Sequence, residues 1–180
     1  MKRNVVAINK RNTQSDWETP PAVFEKLNED FGPFDIDLTA SSENHLVEPF
    51  FGPGSTWHED ALEAPWGQCG MRGYSNPPYG PFVPLLLAKA VEEATEGFAT
   101  TLLLPMRVTQ AFRKWVLGCA GSLCFCDKRL TFYEHGTPRL NKKTGKPDCA
   151  MFDSIVVHFS PVESLESELH VREWHVPDHV

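Results

Sequence analysis

The chain has 180 residues, of which 41% are hydrophobic and 23% are charged. This is the composition of an ordinary globular protein, and the length suits one domain with a core of its own. No apolar run approaches the roughly 20 residues that cross a bilayer, and the apolar stretch near the start is too short for the core of a signal peptide. The sequence therefore argues against a membrane-spanning protein and favours the cytoplasm.

Charge is unevenly distributed along the chain, whose formal net charge is −7. Residues 1–14 carry four basic side chains and no acidic one, and residues 127–147 carry six basic side chains against two acidic ones. Local basic segments of this kind favour contact with a nucleic acid even on an acidic body. Solvated loops with no further function are the alternative.

Five cysteines without an export signal predict free thiols rather than disulfide bonds. Four of them fall in the second half of the chain, but no two have the spacing of a Cys-x-x-Cys pair. The late histidines, at spacings of five and four and with Pro177 between the last two, do not share a helix face either. We therefore predict no metal site. The residues concerned are Cys119, Cys124, Cys126, Cys149, His170, His175 and His179.

The first predicted element is a helix that follows a basic arm. Residues 1–14 show no apolar periodicity and are expected to form a flexible arm. Thr19 is typical of an N-cap, Pro20 of the first helical position, and Gly32 of a helix end. The apolar face of this helix is formed by Val23, Phe24, Leu27 and Phe31.

Residues 34–38 alternate apolar and acidic side chains, which predicts a strand. The turn that follows occupies the place where nucleotide-binding α/β proteins carry a glycine-rich loop, yet it contains no glycine. Small residues such as Thr39 and Ala40 still allow a ligand to approach the backbone closely. Of the two carboxylates, we expect Asp37 to face a ligand and Asp35 to come second, with a cap of the turn as the alternative role.

Strands and helices then alternate. Residues 71–75 predict a strand, residues 82–94 a helix, and residues 98–104 a strand that is buried on both faces. A helix capped by Thr109 and a strand over residues 123–126 follow. Alternation of this kind predicts βαβ units and a mostly parallel sheet.

The last part of the domain is predicted to contain a hairpin between residues 130–133 and 154–159. The basic connection between them, residues 134–149, is rich in glycine and proline and is expected to be irregular. Residues 162–180 are expected to form an acidic tail, in which residues 169–172 make one short edge strand.

The most informative stretch is Asn76-Pro77-Pro78-Tyr79, directly after a predicted strand. Two prolines fix φ at successive positions and remove two backbone donors, so this stretch is a rigid extended corner. The corner presents the Asn76 side-chain oxygen and the Pro77 carbonyl beside an aromatic ring. Two such acceptors suit the two N–H protons of an exocyclic base amine, whose lone pair is then directed at an electrophile. A plain β-turn is the alternative for an isolated tetrapeptide.

Four further segments accompany the tetrapeptide in a fixed order, over about residues 15–161. They are Trp17-Glu18-Thr19-Pro20-Pro21, Phe34-Asp35-Ile36-Asp37, Asp60-Ala61-Leu62 and Arg129-Leu130-Thr131-Phe132. With this set the chain resembles the small phage-type DNA adenine-N6 methyltransferases, whose catalytic motif is Asn-Pro-Pro-Tyr and whose methyl donor is S-adenosylmethionine.

The resemblance implies a Rossmann-like class I methyltransferase fold, which is α/β with a mostly parallel sheet and an antiparallel strand near the C-terminal end. It implies one methyltransferase domain over residues 15–161, between the basic arm of residues 1–14 and the tail of residues 162–180. The implied activity is transfer of a methyl group from S-adenosylmethionine to the N6 amine of adenine in DNA, by base flipping. DNA is the implied partner, no obligate protein partner is expected, and the location is the bacterial host cytoplasm if a phage or prophage encodes the chain.

The resemblance also implies roles for individual residues. The catalytic residues are Asn76, Pro77, Pro78 and Tyr79. The candidate cofactor contacts are Trp17, Thr19, Asp35, Asp37, Thr39, Ala40, Asp60 and Ala61. The candidate substrate contacts are Phe82, Arg129, Phe132, Arg139, Lys142, Lys143 and Lys146.

Three other functions stay open from the residues alone: methylation of adenine in RNA, methylation of a protein glutamine, and a catalytically silent nucleic-acid-binding module. Glutamine methyltransferases of this type normally keep a glycine-rich cofactor loop, which is absent here. The missing glycines and the acidic body support the silent module, which need not bind S-adenosylmethionine.

Overall fold

The computed structural model describes residues 17–161 and 168–179. The strands in chain order are β1 (Ile36–Asp37), β2 (Arg72–Ser75), β3 (Ala99–Pro105), β4 (Ser122–Cys126), β5 (Tyr133–Glu134), β6 (Thr137–Pro138), β7 (Ser154–Phe159) and β8 (His170–Trp174). The helices are α1 (Pro21–Phe31) and α2 (Val83–Thr95), followed by a π-helical segment, Phe112–Val116, that runs into the short α3 (Leu117–Cys119). Within these residues, no helix has the length and apolar character needed to cross a membrane.

The main sheet has six strands in the order β1-β2-β3-β7-β4-β8. The first three are mutually parallel, β7 runs antiparallel to both β3 and β4, and β8 is parallel to β4. One antiparallel strand is thus inserted near the C-terminal end of an otherwise parallel sheet. The predicted α/β fold of the Rossmann-like methyltransferase type is confirmed.

Two isolated bridges continue the sheet beyond β1. Asp37 pairs with Phe50, and Phe51 pairs with His58, both in parallel orientation. The Phe51 N–H donates to the Asp37 carbonyl at 2.8 Å, and the Gly52 N–H donates to the His58 carbonyl at 3.0 Å. The residues just after His58 therefore reach the same carboxyl edge of the sheet as the residues just after β1.

Helices cover both faces of the sheet, and β3 shows why. Its residues alternate between two apolar clusters: Leu102 and Leu104 pack with α2, whereas Leu103 packs with α1. Every residue of β3 is buried, as predicted for this continuous apolar run. Because β2 is parallel to this central strand, the carboxyl ends of β2 and β3 lie at the same edge of the sheet.

Thr19 is not the N-cap that the sequence predicted. Helix α1 begins at Pro21 with Pro20 in the cap position and without a side-chain cap. The Thr19 hydroxyl instead shares a buried hydrogen bond of 2.6 Å with the phenol of Tyr74. A buried phenol requires a polar partner, and Thr19 supplies it.

The prediction of a closing hairpin between residues 130–133 and 154–159 is also wrong. Strand β5 pairs with β6 in a separate two-stranded sheet, whereas β7 lies between β3 and β4. The reason is burial, because β7 carries apolar residues for both faces and is stabilised by a central position.

The connection between β5 and β7 is more regular than its composition suggested. Its tip is a closed turn around Asn141, whose side-chain oxygen accepts from the N–H groups of Lys143 at 3.0 Å and Thr144 at 3.2 Å. Two backbone hydrogen bonds of 2.8 Å, from Asn141 N–H to Lys146 and from Gly145 N–H to Asn141, close the turn. We refer to residues 133–148, which comprise β5, β6 and this turn, as the basic hairpin.

Residues 168–179 belong to the folded body rather than to a separate tail. The predicted edge strand is present as β8, and Trp174 and Val176 beyond it are buried in the cluster around α1. The Trp174 indole N–H donates to Asp30 of α1 at 2.8 Å. The predicted basic arm of residues 1–14 and the stretch of residues 162–167 lie outside the described residues.

Candidate active site

The predicted catalytic tetrapeptide begins directly at the carboxyl end of β2. Open α/β sheets bind their ligands at this edge. Strand β2 is buried from Gly73 to Ser75, and Asn76 emerges from it with a partly exposed side chain. Pro77 and Pro78 each have a fixed φ angle, so the backbone that follows Asn76 is rigid. This rigidity helps to hold the backbone of Asn76 in one position.

The side chain of Asn76 has a defined orientation. Its amide nitrogen, Nδ2, donates to the backbone carbonyl of Trp17 at 2.8 Å, and its oxygen, Oδ1, accepts from the Tyr79 hydroxyl at 3.1 Å. A carbonyl accepts only from the nitrogen end, so the Trp17 contact assigns the two ends of the amide. Oδ1 has a second lone pair with which it can accept from a ligand.

Tyr79 packs edge-on against a group of aromatic rings. Its ring centroid lies 5.4 Å from that of Phe152, 6.4 Å from that of Phe132 and 6.5 Å from that of Trp17, in each case close to perpendicular. Burial holds the pKa of the Tyr79 phenol well above its ordinary value, despite the opposing effect of Arg107. The phenol therefore keeps its proton and remains a hydrogen-bond donor at neutral pH.

A cleft of about 170 Å³ opens beside Tyr79. Arg107 and Thr109, just after β3, supply polar groups to it. An engineered apolar cavity of about 150 Å³ accepts a benzene ring, so this cleft has room for a planar ring. Its other lining residues are Gly80, Val83, Pro84, Leu87, Leu104, Pro105, Ala111, Phe112 and Ile155.

The carboxyl end of β1 brings together three of the predicted cofactor contacts, Asp37, Thr39 and Ala40. The Thr39 hydroxyl lies 2.5 Å from the Ser75 hydroxyl, which links the end of β1 to the residue just before Asn76. Ala40 is buried, and its N–H donates to the Phe51 carbonyl at 3.0 Å. Two adjacent strand ends thus present hydroxyl groups next to the tetrapeptide.

Asp37 is 3% exposed and accepts from the backbone N–H groups of Leu46 at 3.2 Å and Thr39 at 3.3 Å. Burial raises the pKa of this carboxyl group to about 6, although these two hydrogen bonds and nearby His45 lower it. A cationic ligand group beside Asp37 would offset part of the cost of the buried charge.

The other predicted cofactor residues differ in where they lie. Asp60 and Ala61 follow the His58 bridge at the carboxyl edge, where Asp60 accepts from the Leu62 N–H at 2.9 Å. Asp35 lies at the opposite edge, because its carboxylate accepts from the N–H of Arg72, the first residue of β2, at 2.8 Å. Asn76 follows Arg72 by four positions along the strand, which corresponds to about 13 Å. The structure does not bring Asp35 together with the other candidates.

Several other candidates are enclosed in the core. Ala61 is buried, and its carbonyl accepts from the Trp66 indole at 2.6 Å. Thr19 is buried beside Tyr74, and Phe82 is buried at the start of α2. Phe132 is fully buried and stacks on Trp17 with a centroid separation of 5.4 Å. In this structure neither Phe82 nor Phe132 presents an open ring face.

The predicted DNA contacts of the basic hairpin lie on its surface. Lys142, Lys143 and Lys146 are exposed around the closed turn. Arg139 is partly exposed, and its guanidinium carbon lies 4.1 Å from the centroid of the Trp17 indole. Arg129 lies outside the hairpin and pairs with Asp153 at 3.0 Å.

Arg107 and Phe152 are two residues of the site that were not predicted. Arg107 was missed although it follows the carboxyl end of a buried strand, which is the same signal that identifies Asn76. Phe152, which stacks on Trp17 at 5.8 Å and contacts Tyr79, has no comparable signal because it lies in a loop. Phe152 reaches the site through its contacts with Trp17 and Tyr79, which are far from it in the sequence.

The sheet order and the proline-fixed corner at the end of β2 together define the class, which is that of the Rossmann-like methyltransferases. Within this class the chain belongs to the DNA N-6-adenine-methyltransferase (Dam) family, whose family model matches residues 7–171. The resemblance seen in the sequence is thereby confirmed, and the family is one of transferases.

The chain is similar in sequence to two proteins, and in each alignment 30% of the residues are identical. The DNA N-6-adenine-methyltransferase of Escherichia phage T1 is 30% identical over 89 residues, which are 49% of this chain and 35% of the phage protein. The putative methyltransferase YfdM of Escherichia coli (strain K12) is 30% identical over 81 residues, which are 43% of this chain and 85% of YfdM. The chain thus matches only about a third of the length of the phage T1 protein.

Proposed function

We propose that this chain transfers a methyl group from S-adenosylmethionine to the N6 amine of adenine in DNA. The observation that carries the proposal is the orientation of the Asn76 amide, which is set by the Trp17 carbonyl at 2.8 Å. That contact leaves the oxygen end of the amide for a donor such as a base amine. Family membership is consistent with this activity, because the family description names DNA adenine N6.

The residues at the carboxyl edge suit the proposed cofactor. S-adenosylmethionine carries an amino group, a carboxylate, ribose hydroxyls and an adenine ring, and it supplies an electrophilic methyl group when bound. The buried Asp37 carboxylate matches the amino group or a ribose hydroxyl, and the hydroxyls of Thr39 and Ser75 match further polar groups. Asp60, at the same edge, is the candidate for the exocyclic amine of the cofactor's adenine.

The chemical task of the tetrapeptide is to make a poor nucleophile attack. The lone pair of an adenine amine is spread into the ring, so the amine reacts only when it is oriented. Oδ1 of Asn76 and the Pro77 carbonyl would accept the two N–H groups and turn the lone pair towards the methyl group. The N–C bond forms as the bond between the methyl carbon and sulfur breaks, which would leave a neutral thioether. Both oxygens stabilise the positive charge that develops on the nitrogen until the nitrogen releases one proton to solvent. Catalysis of this kind requires position rather than a strong base.

A base inside a duplex cannot reach Asn76, so the proposal includes base flipping, at a cost of a few kcal/mol. The cleft beside Tyr79 supports this part of the proposal because it has room for a planar ring. Tyr79 would stack on the base, and Phe132 or Phe152 would support the Tyr79 ring. Arg107, at the same cleft, is the candidate for a phosphate contact.

Binding to DNA is proposed for the basic hairpin. Its lysines are exposed on one ordered turn, and Arg139 connects that turn to the indole of Trp17. Because the net charge of the whole chain is −7, the hairpin must supply local attraction to phosphates. Arg129 is a weaker candidate, since Asp153 already pairs with it.

The test is incubation with tritiated S-adenosylmethionine and unmethylated DNA, followed by digestion and nucleoside identification. We expect the label in N6-methyldeoxyadenosine. RNA and a glutamine-containing protein serve as competing substrates, and preferential labelling of either would replace the proposal. Calorimetry with S-adenosylmethionine alone tests the silent module, because the proposed enzyme must bind this cofactor and a silent nucleic-acid-binding module need not. Absence of binding heat together with absence of transfer would replace the proposal with the silent module.

A further inference from the structure

We propose that Trp17 is a positioning residue that couples the basic hairpin to the catalytic Asn76, an inference that rests on the proposed function. Trp17 was expected to contact the cofactor. Its described contacts instead connect two parts of the site: the backbone carbonyl binds Asn76, and the indole ring binds the hairpin and the neighbouring aromatic rings.

On the catalytic side, the coupling consists of one hydrogen bond. The Trp17 carbonyl accepts from Nδ2 of Asn76 at 2.8 Å across 59 residues of sequence. An asparagine amide can rotate by half a turn and exchange its donor and acceptor ends with little change in shape. The Trp17 carbonyl opposes this rotation, since it would then face Oδ1, which is a second acceptor. The carbonyl therefore keeps an acceptor directed at the substrate amine.

On the DNA side, the indole ring of Trp17 is held by several partners. Its ring stacks on Phe132 at 5.4 Å and on Phe152 at 5.8 Å, and the guanidinium of Arg139 lies 4.1 Å from its centroid. A guanidinium stacks on an aromatic face through its planar charge. Arg139 also lies in the segment with the exposed lysines, so DNA bound there would act on the same indole.

The backbone beside Trp17 is fixed to the same hairpin. Glu18 and Tyr133 exchange two N–H to carbonyl hydrogen bonds, each of 2.9 Å. The Glu18 carboxylate also accepts from the Gly136 N–H at 2.9 Å. A displacement of the hairpin therefore moves the segment that carries the Trp17 carbonyl, and the orientation of Asn76 depends on that carbonyl.

The experiment compares Trp17→Ala and Trp17→Phe in a methyl-transfer assay with saturating DNA and cofactor. We expect Trp17→Ala to lower kcat by tenfold to a hundredfold, roughly the effect of one lost hydrogen bond plus misplacement of a catalytic group. Trp17→Phe keeps a stacking ring and should recover most of kcat. The KM for DNA and the Kd for S-adenosylmethionine should change by less than about threefold, which separates positioning from binding.

A second pair of variants tests the link without removing the indole. Arg139→Lys keeps the positive charge but not the planar stacking group, so it should lower kcat while DNA affinity is largely kept. Lys142→Ala should weaken DNA binding and leave kcat at saturating DNA unchanged, because Lys142 is an exposed charge on the closed turn. Trp57→Ala is the matched tryptophan control, since Trp57 is 69% exposed, and it should leave all parameters unchanged.

The side-chain amide signals of Asn76 in nitrogen-labelled protein give a readout independent of activity. They should shift and exchange faster with solvent in Trp17→Ala than in wild type or Trp57→Ala. Unchanged signals, or loss of cofactor affinity in proportion to kcat, would overturn the positioning role. If the wild type transfers no methyl group, the proposed function fails, and the amide signals still decide whether Trp17 orients Asn76.

Discussion

The hydroxyl of Tyr79 donates a hydrogen bond of 3.1 Å to Oδ1 of Asn76, three residues earlier in the same tetrapeptide. The Asn76 amide is thus held at both ends, by a phenol at its oxygen and by the Trp17 carbonyl at its nitrogen. For the proposed function, such pre-organisation reduces the reorganisation that is needed when a base amine binds at Asn76. The hydroxyl of Tyr79 orients the Asn76 amide, whereas the ring of Tyr79 is proposed to stack on the base. The two effects can therefore be tested separately.

Asn76→Ala should remove the acceptor and lower kcat by about a hundredfold to a thousandfold, the range seen when one stabilising group is deleted from a charged transition state. Binding of S-adenosylmethionine should be nearly unchanged, because the candidates for its polar groups, Asp37, Thr39 and Asp60, lie at the end of β1 and after the His58 bridge. The measurements are single-turnover transfer and calorimetry. A parallel loss of cofactor affinity would contradict the assigned role.

Tyr79→Phe and Tyr79→Ala should differ in size. The Phe variant keeps the ring and loses the hydrogen bond to Oδ1, so kcat should fall by about tenfold or less. The Ala variant also loses base stacking, which is worth about 1–3 kcal/mol, so kcat should fall by a further factor of about five to a hundred. Fluorescence of DNA with 2-aminopurine at the target position reports extrusion of the base. Equal defects in the two variants would mean that the ring does not hold the base.

The strand-end position of Asn76 was predictable because it depends on local signals. A strand pattern ends at two prolines, and parallel strands deliver their carboxyl ends to one edge. The burial of β3 on both faces follows in the same way from one continuous apolar run. Local periodicity and fixed backbone angles are sufficient for these features.

Long-range partners were not predictable. The Thr19-Pro20 pair suits a helix start, and nothing local indicates that Thr19 bonds to Tyr74, 55 residues away. In the same way, the alternating pattern around Asp35 and Asp37 predicts a strand. It does not predict that the carboxylate of Asp35 lies near the start of β2 whereas that of Asp37 lies at the carboxyl edge of the sheet. Interactions between distant segments, such as that of Arg139 with Trp17, depend on the packed tertiary structure.

The hairpin lysines should act on DNA binding alone. Replacing Lys142, Lys143 and Lys146 together by alanine should raise the KM for DNA. The salt dependence of binding should fall by about one unit of log–log slope for each DNA phosphate that the variant no longer neutralises. The value of kcat at saturating DNA should stay near that of the wild type. Lys26→Gln on α1 is the control, because Lys26 pairs with Asp30 within one helix. A drop in kcat without a change in salt dependence would exclude the hairpin as a binding surface.

Asp37 and His158 should give the folded protein opposing dependences on pH. Burial raises the pKa of Asp37 from 3.8 to about 6, and burial together with Arg72 and Arg172 lowers the pKa of His158 from 6.5 to about 4. Between pH 4 and pH 6, folded Asp37 binds more protons than the unfolded chain does, so its contribution to stability is lost as the pH rises. Folded His158 binds fewer protons over the same range, so its contribution is lost as the pH falls. Each shift corresponds to about 3 kcal/mol.

Variants at these two positions should therefore have opposite slopes relative to wild type. Between pH 4.5 and pH 6.5, the unfolding free energy of Asp37→Asn should rise more steeply than that of wild type, because only the His158 effect remains. His158→Gln should rise less steeply, or fall. Urea unfolding at several pH values measures these slopes, and a constant loss of stability in either variant does not alter them. Identical slopes in Asp37→Asn and wild type would mean that the Asp37 carboxyl group titrates normally, and the case for a cationic cofactor group beside it would be lost.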